Sequence, residues 1–175
     1  LSPTFEGFDA LIYDSEEVDG FEIGLKSNLL DNNMRLNATY YKYEYTDLQV
    51  QLFDAAIIQF STFNAGAVET EGFEADLLWY TDIPGLSLRG QFAWTDATNT
   101  GDFITPGGEN LKGSKRSYSP EIAGSFGLSY DSGLSNGWRY NISTDARYSD
   151  EYGWGTYIDS PMQDSFWIND VALSL

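Results

Sequence analysis

Leu86-Ser87-Leu88-Arg89-Gly90-Gln91-Phe92-Ala93-Trp94-Thr95 is the stretch that decides the fold class. Successive side chains of an extended chain point to opposite faces. Leu86, Leu88, Gly90, Phe92 and Trp94 therefore share one face, and Ser87, Arg89, Gln91, Ala93 and Thr95 share the other. An apolar face opposed to a polar one is the signature of a half-buried strand and, with the apolar face outward, of a membrane barrel.

Segments of the same period recur to either side of it. The alternation predicts seven strands. The first spans 18–29, with Phe21, Ile23 and Leu25 against Gly20, Glu22, Gly24 and Lys26, and stops at Asp31-Asn32-Asn33, a composition suited to positive φ. The second, 34–52, starts with Leu36, Ala38 and Tyr40 in phase and then shows Tyr41, Tyr43 and Tyr45 on the other parity. That break predicts a bulge, or emergence from the apolar layer, near Tyr40. The third, 60–80, sets Phe73, Ala75, Leu77 and Trp79 against Gly72, Glu74 and Asp76. After the opening stretch come a fifth strand with Ile122, Phe126, Leu128 and Tyr130 on one face, a sixth with Trp138, Tyr140, Ile142, Ala146 and Tyr148, and a seventh near 166–175 with Trp167, Val171, Leu173 and Leu175.

Connection lengths alternate too. Short turns follow strands one, three and five, at Asp31, Pro84 and 131–137, and longer links follow two, four and six, at 53–59, 99–118 and 150–164. Outer-membrane barrels show this alternation, and their aromatics sit near strand ends, as Trp79, Trp94, Tyr130 and Trp138 do. A soluble β-sandwich also has half-buried strands, and periodicity alone leaves it open. Seven strands cannot cover both edges of one sheet, so the pattern predicts part of a larger barrel.

Composition excludes several chemistries. The 175 residues contain no His and no Cys, so Cys/His zinc sites, Ser-His or Cys-His nucleophiles and thiol redox are all ruled out. Asp plus Glu number 27 against 9 Lys plus Arg, a net charge of −18 that repels nucleic acid. No apolar run is long enough for a membrane helix, and the start at Leu1 shows no signal peptide, which predicts a processed chain or a fragment.

Three stretches carry a resemblance. Gly20-Phe21-Glu22-Ile23-Gly24-Leu25-Lys26-Ser27 with its Asp-Asn turn, then Arg35-Leu36-Asn37-Ala38-Thr39-Tyr40-Tyr41 running on to Tyr45-Thr46-Asp47-Leu48-Gln49, and then Asn64-Ala65-Gly66-Ala67 followed by Glu71-Gly72-Phe73-Glu74-Ala75-Asp76 stand in one order. In that order and spacing they resemble the C-terminal half of TonB-dependent outer-membrane receptors, the 22-stranded transporters with a plugged lumen. Ser117-Tyr118-Ser119-Pro120-Glu121 is similar to the family's loop-to-strand junction. The resemblance implies an all-β chain, an antiparallel transmembrane β-barrel fragment in which residues 1–175 are part of one barrel domain and the plug and terminal strands lie outside. It also implies energy-coupled uptake of a scarce ligand, a ferric siderophore, across the outer membrane of a Gram-negative bacterium. Outer-membrane lipid surrounds the wall and the TonB complex acts through the plug. No cofactor and no catalysis are implied. Oligosaccharide, cobalamin or another metal complex remains open as the cargo.

The candidate ligand contacts lie in the long links. Lys115 and Arg116, beside Tyr118, could meet an anionic group of an iron chelate, or be a solvated loop tip; Phe103, Tyr152, Trp154 and Tyr157 could stack on a sugar or a catecholate. Glu74 and Asp76, about 7 Å apart on one face, read as wet lumen charges rather than a catalytic pair. The early acidic run, Asp9, Asp14, Glu16, Glu17 and Asp19, would draw cationic complexes or simply stay solvated.

Overall fold

The computed structural model describes residues 14–54, 58–64, 66–105, 108–155 and 160–175. They form eleven strands: β1 (Glu17–Leu29), β2 (Met34–Thr46), β3 (Gln49–Asp54), β4 (Gln59–Asn64), β5 (Ala67–Tyr80), β6 (Leu86–Asn99), β7 (Ile122–Gly133), β8 (Arg139–Ser149), β9 (Tyr152–Gly153), β10 (Met162–Gln163) and β11 (Phe166–Ser174). Seven of them make one sheet in the order β1-β2-β5-β6-β7-β8-β11, antiparallel throughout. The fold is all-β, a seven-stranded section of barrel wall. No helix among the described residues is long and apolar enough to cross a membrane, which says nothing of crossing by strands.

Two expectations are corrected. Of the two readings of the tyrosine phase break, the bulge is wrong and emergence from the apolar layer holds: the register runs without interruption, with Tyr40 opposite both Ile23 and Phe73. What changes at Tyr40 is the chemistry of the outward row, which passes from Leu36, Ala38 and Tyr40 to Lys42 and Glu44, while Tyr41, Tyr43 and Tyr45 occupy the inner face. The expected strands 34–52 and 60–80 each divide in two. β2 ends at Thr46 and β5 starts at Ala67, and between them β3 and β4 pair as a separate hairpin, so the link expected at 53–59 is instead the whole of 47–66; residues 55–57 lie outside the described set. The shift occurs where backbone turns left-handed, at Asp47 (φ 53°) and Gly66 (φ 52°). Likewise β7 runs on to Gly133, shortening the turn expected at 131–137, and the link 150–164 contains the β9–β10 pair.

Register fixes the two faces. Trp79-Leu88-Leu128, Leu77-Gly90-Phe126, Ala75-Phe92-Gly124 and Phe73-Trp94-Ile122 are successive rows of the outward face. From Leu86 to Trp94 is eight residues, about 26 Å along the strand and about 20 Å after a 40° tilt, close to the ~25 Å apolar band of an outer-membrane barrel. Among the described residues nothing covers this face: Ile23 is 68% exposed and Phe126 51%. One row beyond the aromatics it turns charged, with Lys42 beside Glu71 and 2.9 Å from Glu69, and Asp96 2.7 Å from Lys115. The apolar band therefore ends where Tyr40, Phe73 and Trp94 end.

The inner face is a polar lattice. Asn37 donates to both Asp76 oxygens at 3.0 and 3.1 Å, and Asn141 donates to Ser129 at 2.8 Å. Arg89 crosses Gly127 to pair with Asp145, two strands away in the same row. A Cβ at Gly127 would lie 2.8 Å from both Arg89 Cγ and Asp145 Oδ1, so this glycine is the floor on which the ion pair rests. Tyr41 lies over Gly72 and Tyr43 over Gly20 in the same manner, each ring kept flat against the wall. Tyr41 reaches Thr95 at 3.1 Å and Tyr43 donates to Glu22.

At the β3–β4 base, Asn64 acts as a clasp. Its Nδ2 donates to the carbonyls of Asp47 at 2.5 Å and Asp14 at 3.0 Å, and its Oδ1 accepts from Asp14 N–H at 2.8 Å. Each such bond contributes about 1 kcal/mol net. Asn64→Ala is expected to speed amide exchange across Gln49–Asp54 by about tenfold or more while leaving β5 and β6 unchanged, as read by hydrogen-exchange mass spectrometry on the full-length protein.

Candidate functional site

The buried side chains are confined to one end of the sheet. Among the described residues other than glycine, Val68, Ala97, Asn99, Phe103, Thr105 and Leu111 are buried, all where the long links gather. β6 continues past Asn99 and turns back on itself: Gly113 N–H donates to the Asn99 carbonyl at 2.7 Å, Asn99 N–H to Ser114 at 2.9 Å, and Lys115 stands opposite Thr98. Phe103 and Leu111, each 3% exposed, pack together with Val50 of the β3–β4 hairpin against them. Gly66 and Gly101 meet backbone to backbone at the same place. The two links are thus joined by a small apolar core of their own.

Residues 117–120 then leave the ladder, which resumes where Thr95 N–H donates to Glu121 O at 2.9 Å. This excursion reaches the third link. Tyr118, with φ 58°, donates its N–H to the Gly153 carbonyl at 2.9 Å, its ring stands 6.3 Å from that of Tyr152, and the Ser117 hydroxyl donates to Gly155 O. Between the two links lies a cavity of about 310 Å³ floored by Thr95, Ala97 and Asn99 of the inner face.

The expected ligand contacts separate here. Arg116, Tyr152 and the buried Phe103 line the cavity, and Lys115 borders it with its ammonium held by Asp96. Tyr118 and Trp154 are exposed, 67% and 52%, and do not line it, although residues on either side of each do. Tyr157 lies outside the described residues. Lys115 and Arg116 do not act together, because neighbours on an extended segment point opposite ways. Lys115 meets Asp96 on the outward face; Arg116 is half-buried and extends Nη1 to Asn99 Oδ1 at 3.4 Å. Burial pushes the Arg116 pKa down, and the group stays charged because its ordinary value is so high. Sequence reasoning missed Asn99 and Ser114, which sit behind the guanidinium, and the tyrosine ladder of β2, whose parity was its only signal. Among the described residues no group of three metal-ligating side chains is present.

A curved antiparallel wall, apolar outside and polar within, with long links folded over one end and tight turns at the other, defines a section of a large membrane-type β-barrel. The chain belongs to the TonB-dependent receptor-like β-barrel family, whose model matches residues 4–175; members of this family are outer-membrane β-barrel receptors. Among solved structures it is similar to the siderophore receptor PiuA from Acinetobacter baumannii (22% identity, TM-score 0.71, covering 90% of this chain and 22% of that one). It is similar also to the ferric yersiniabactin uptake receptor FyuA from Yersinia pestis (15%, TM-score 0.72, 90% and 22%) and to the ferric-catecholate import receptor Fiu from E. coli K12 (21%, TM-score 0.66, 92% and 21%). The chain thus spans about a fifth of the length of these proteins. No curated protein matches the sequence.

Proposed function

We propose that these residues form part of the wall and outer mouth of an outer-membrane receptor that takes up a ferric siderophore by energy-coupled transport. The observation that carries this reading is the cavity of about 310 Å³ at the long-link end, with Phe103 and Tyr152 in its lining and a half-buried cation inside, floored by Thr95 and Asn99 of the polar inner wall. In this reading the links gather the ligand from outside, Tyr118, Tyr152 and Trp154 lie against its flat groups, and the plug of the full-length protein, pulled by the TonB complex, opens the path along the lattice of Asn37, Asp76, Arg89 and Asp145. No bond of the cargo is made or broken. The siderophore receptors among the structural neighbours support the cargo class, and the acidic charge of −18 argues against nucleic acid as a partner.

A thermal-shift panel on the full-length receptor in detergent tests the cargo. Ferric chelates are expected to raise the melting temperature, because a ligand bound only by the folded state stabilises it. A shift with oligosaccharides or cobalamin and none with ferric chelates would overturn the siderophore choice.

A further inference from the structure

Arg116 is the polar centre of the cavity, and its surroundings restrict what can bind there. Among the described residues no carboxylate oxygen lies within 4.0 Å of its nitrogens, in contrast to Lys112, 3.8 Å from Asp102, and Lys115, 2.7 Å from Asp96. Its one hydrogen bond, to Asn99 Oδ1 at 3.4 Å, is long, which leaves most of the guanidinium's five N–H donors without an acceptor among the described residues. A half-buried guanidinium without a counter-charge is costly, and a ligand oxygen that supplied one would be held strongly. Asn99 is itself fixed from behind, its Nδ2 donating to Ser114 at 2.9 Å while Ser114 donates to Leu111 O at 2.6 Å. The planar fork is therefore braced on the inner side of the wall rather than free at a loop tip.

Apart from Lys115, whose ammonium is paired with Asp96, the other charged residues of the lining are acidic. Glu121, Asp150 and Glu151 border the same cavity, so a ligand with several negative charges is repelled while one anionic group can be matched. We infer that Arg116 forms a subsite for a single carboxylate, and that the ferric chelate taken up here carries one such group on an otherwise neutral or cationic body. The inference rests on the ferric-chelate reading of the same mouth. Lys115, one residue away, has no part in it.

The test uses the full-length receptor in detergent and two probes: a ferric tris-hydroxamate with one pendant carboxylate, and the same chelate with that carboxylate converted to a carboxamide. Calorimetry is expected to show the carboxylate form bound about tenfold more tightly, the size of one charge-assisted contact at a partly solvated site. Arg116→Gln should abolish that preference while keeping the carboxamide affinity, which also shows that the variant is folded. Arg116→Lys should retain part of the preference, and Lys115→Gln all of it. Equal binding of the two probes by the unaltered receptor, or a preference that survives Arg116→Gln, overturns the subsite alone. Binding of neither probe overturns the ferric-chelate reading and the subsite with it.

Discussion

Replacing Phe126 by Arg is expected to destabilise the folded barrel in lipid by about 2–4 kcal/mol, the cost of a cation on the hydrocarbon face near the bilayer midplane. Phe126 stands midway along β7, opposite Gly90 on one side and Ala146 on the other, with half its surface uncovered. Gln91, one residue on from Gly90 and on the other face, sits in a row with Asp76 and Ser125. Gln91→Arg should change stability by less than about 0.5 kcal/mol, since a lumen charge keeps its water and gains an acidic neighbour. Urea unfolding of the full-length receptor in lipid vesicles reads both. An Arg accepted at 126 and rejected at 91 would mean that the two faces have been assigned the wrong way round.

Gly85→Val carries two separate penalties. Gly85 has φ 84°, a left-handed conformation that costs a β-branched residue of order 1–2 kcal/mol or more. It is also held from the neighbouring hairpin, where Asp131 N–H donates to its carbonyl at 2.9 Å, and a Cβ built on it would overlap the Asp131 carbonyl oxygen. Because that obstacle is backbone, the β6–β7 register must shift to admit the side chain. A total loss of about 3 kcal/mol or more is expected. Gly137, at the next tight turn, has φ 88° and nothing within 4 Å of a built Cβ, so Gly137→Val should show the conformational part only, about 1–2 kcal/mol. The heat-resistant folded band on a gel measures both variants, and equal losses at the two glycines would refute the backbone contact.

The wall was legible in the sequence for a physical reason: a sheet with lipid on one side and water on the other has to alternate. The parity of Leu86 to Trp94 and of Phe73 to Trp79 is the parity of the register. Where both faces of a strand are wet, the signal fails. Beyond Tyr40 the outward row is Lys42 and Glu44, so the inner tyrosines looked like a shift of phase when only the solvent had changed. The β3–β4 hairpin was hidden for a different reason: its two left-handed hinges, Asp47 and Gly66, carry no Asn-Gly or Pro-Gly turn signal to separate it from the long strands. Lys115 and Arg116 were legible as cations but not as opposites, because their separation depends on a single bridge to Thr98 that no local pattern announces. Gly20 and Gly72, which the sequence placed on the polar faces, are seats, and so is Gly127: each lies under a long side chain from a neighbouring strand.

The central claim is uptake, and radio-iron transport tests it most directly. The full-length gene is expressed in an iron-starved Gram-negative host stripped of its own receptors, and cell-associated iron is followed after addition of a carboxylate-bearing ferric chelate. The account predicts accumulation well above the empty-vector background that collapses when the inner-membrane proton gradient is dissipated. Accumulation no greater than background, or equally fast in de-energised cells, would contradict it.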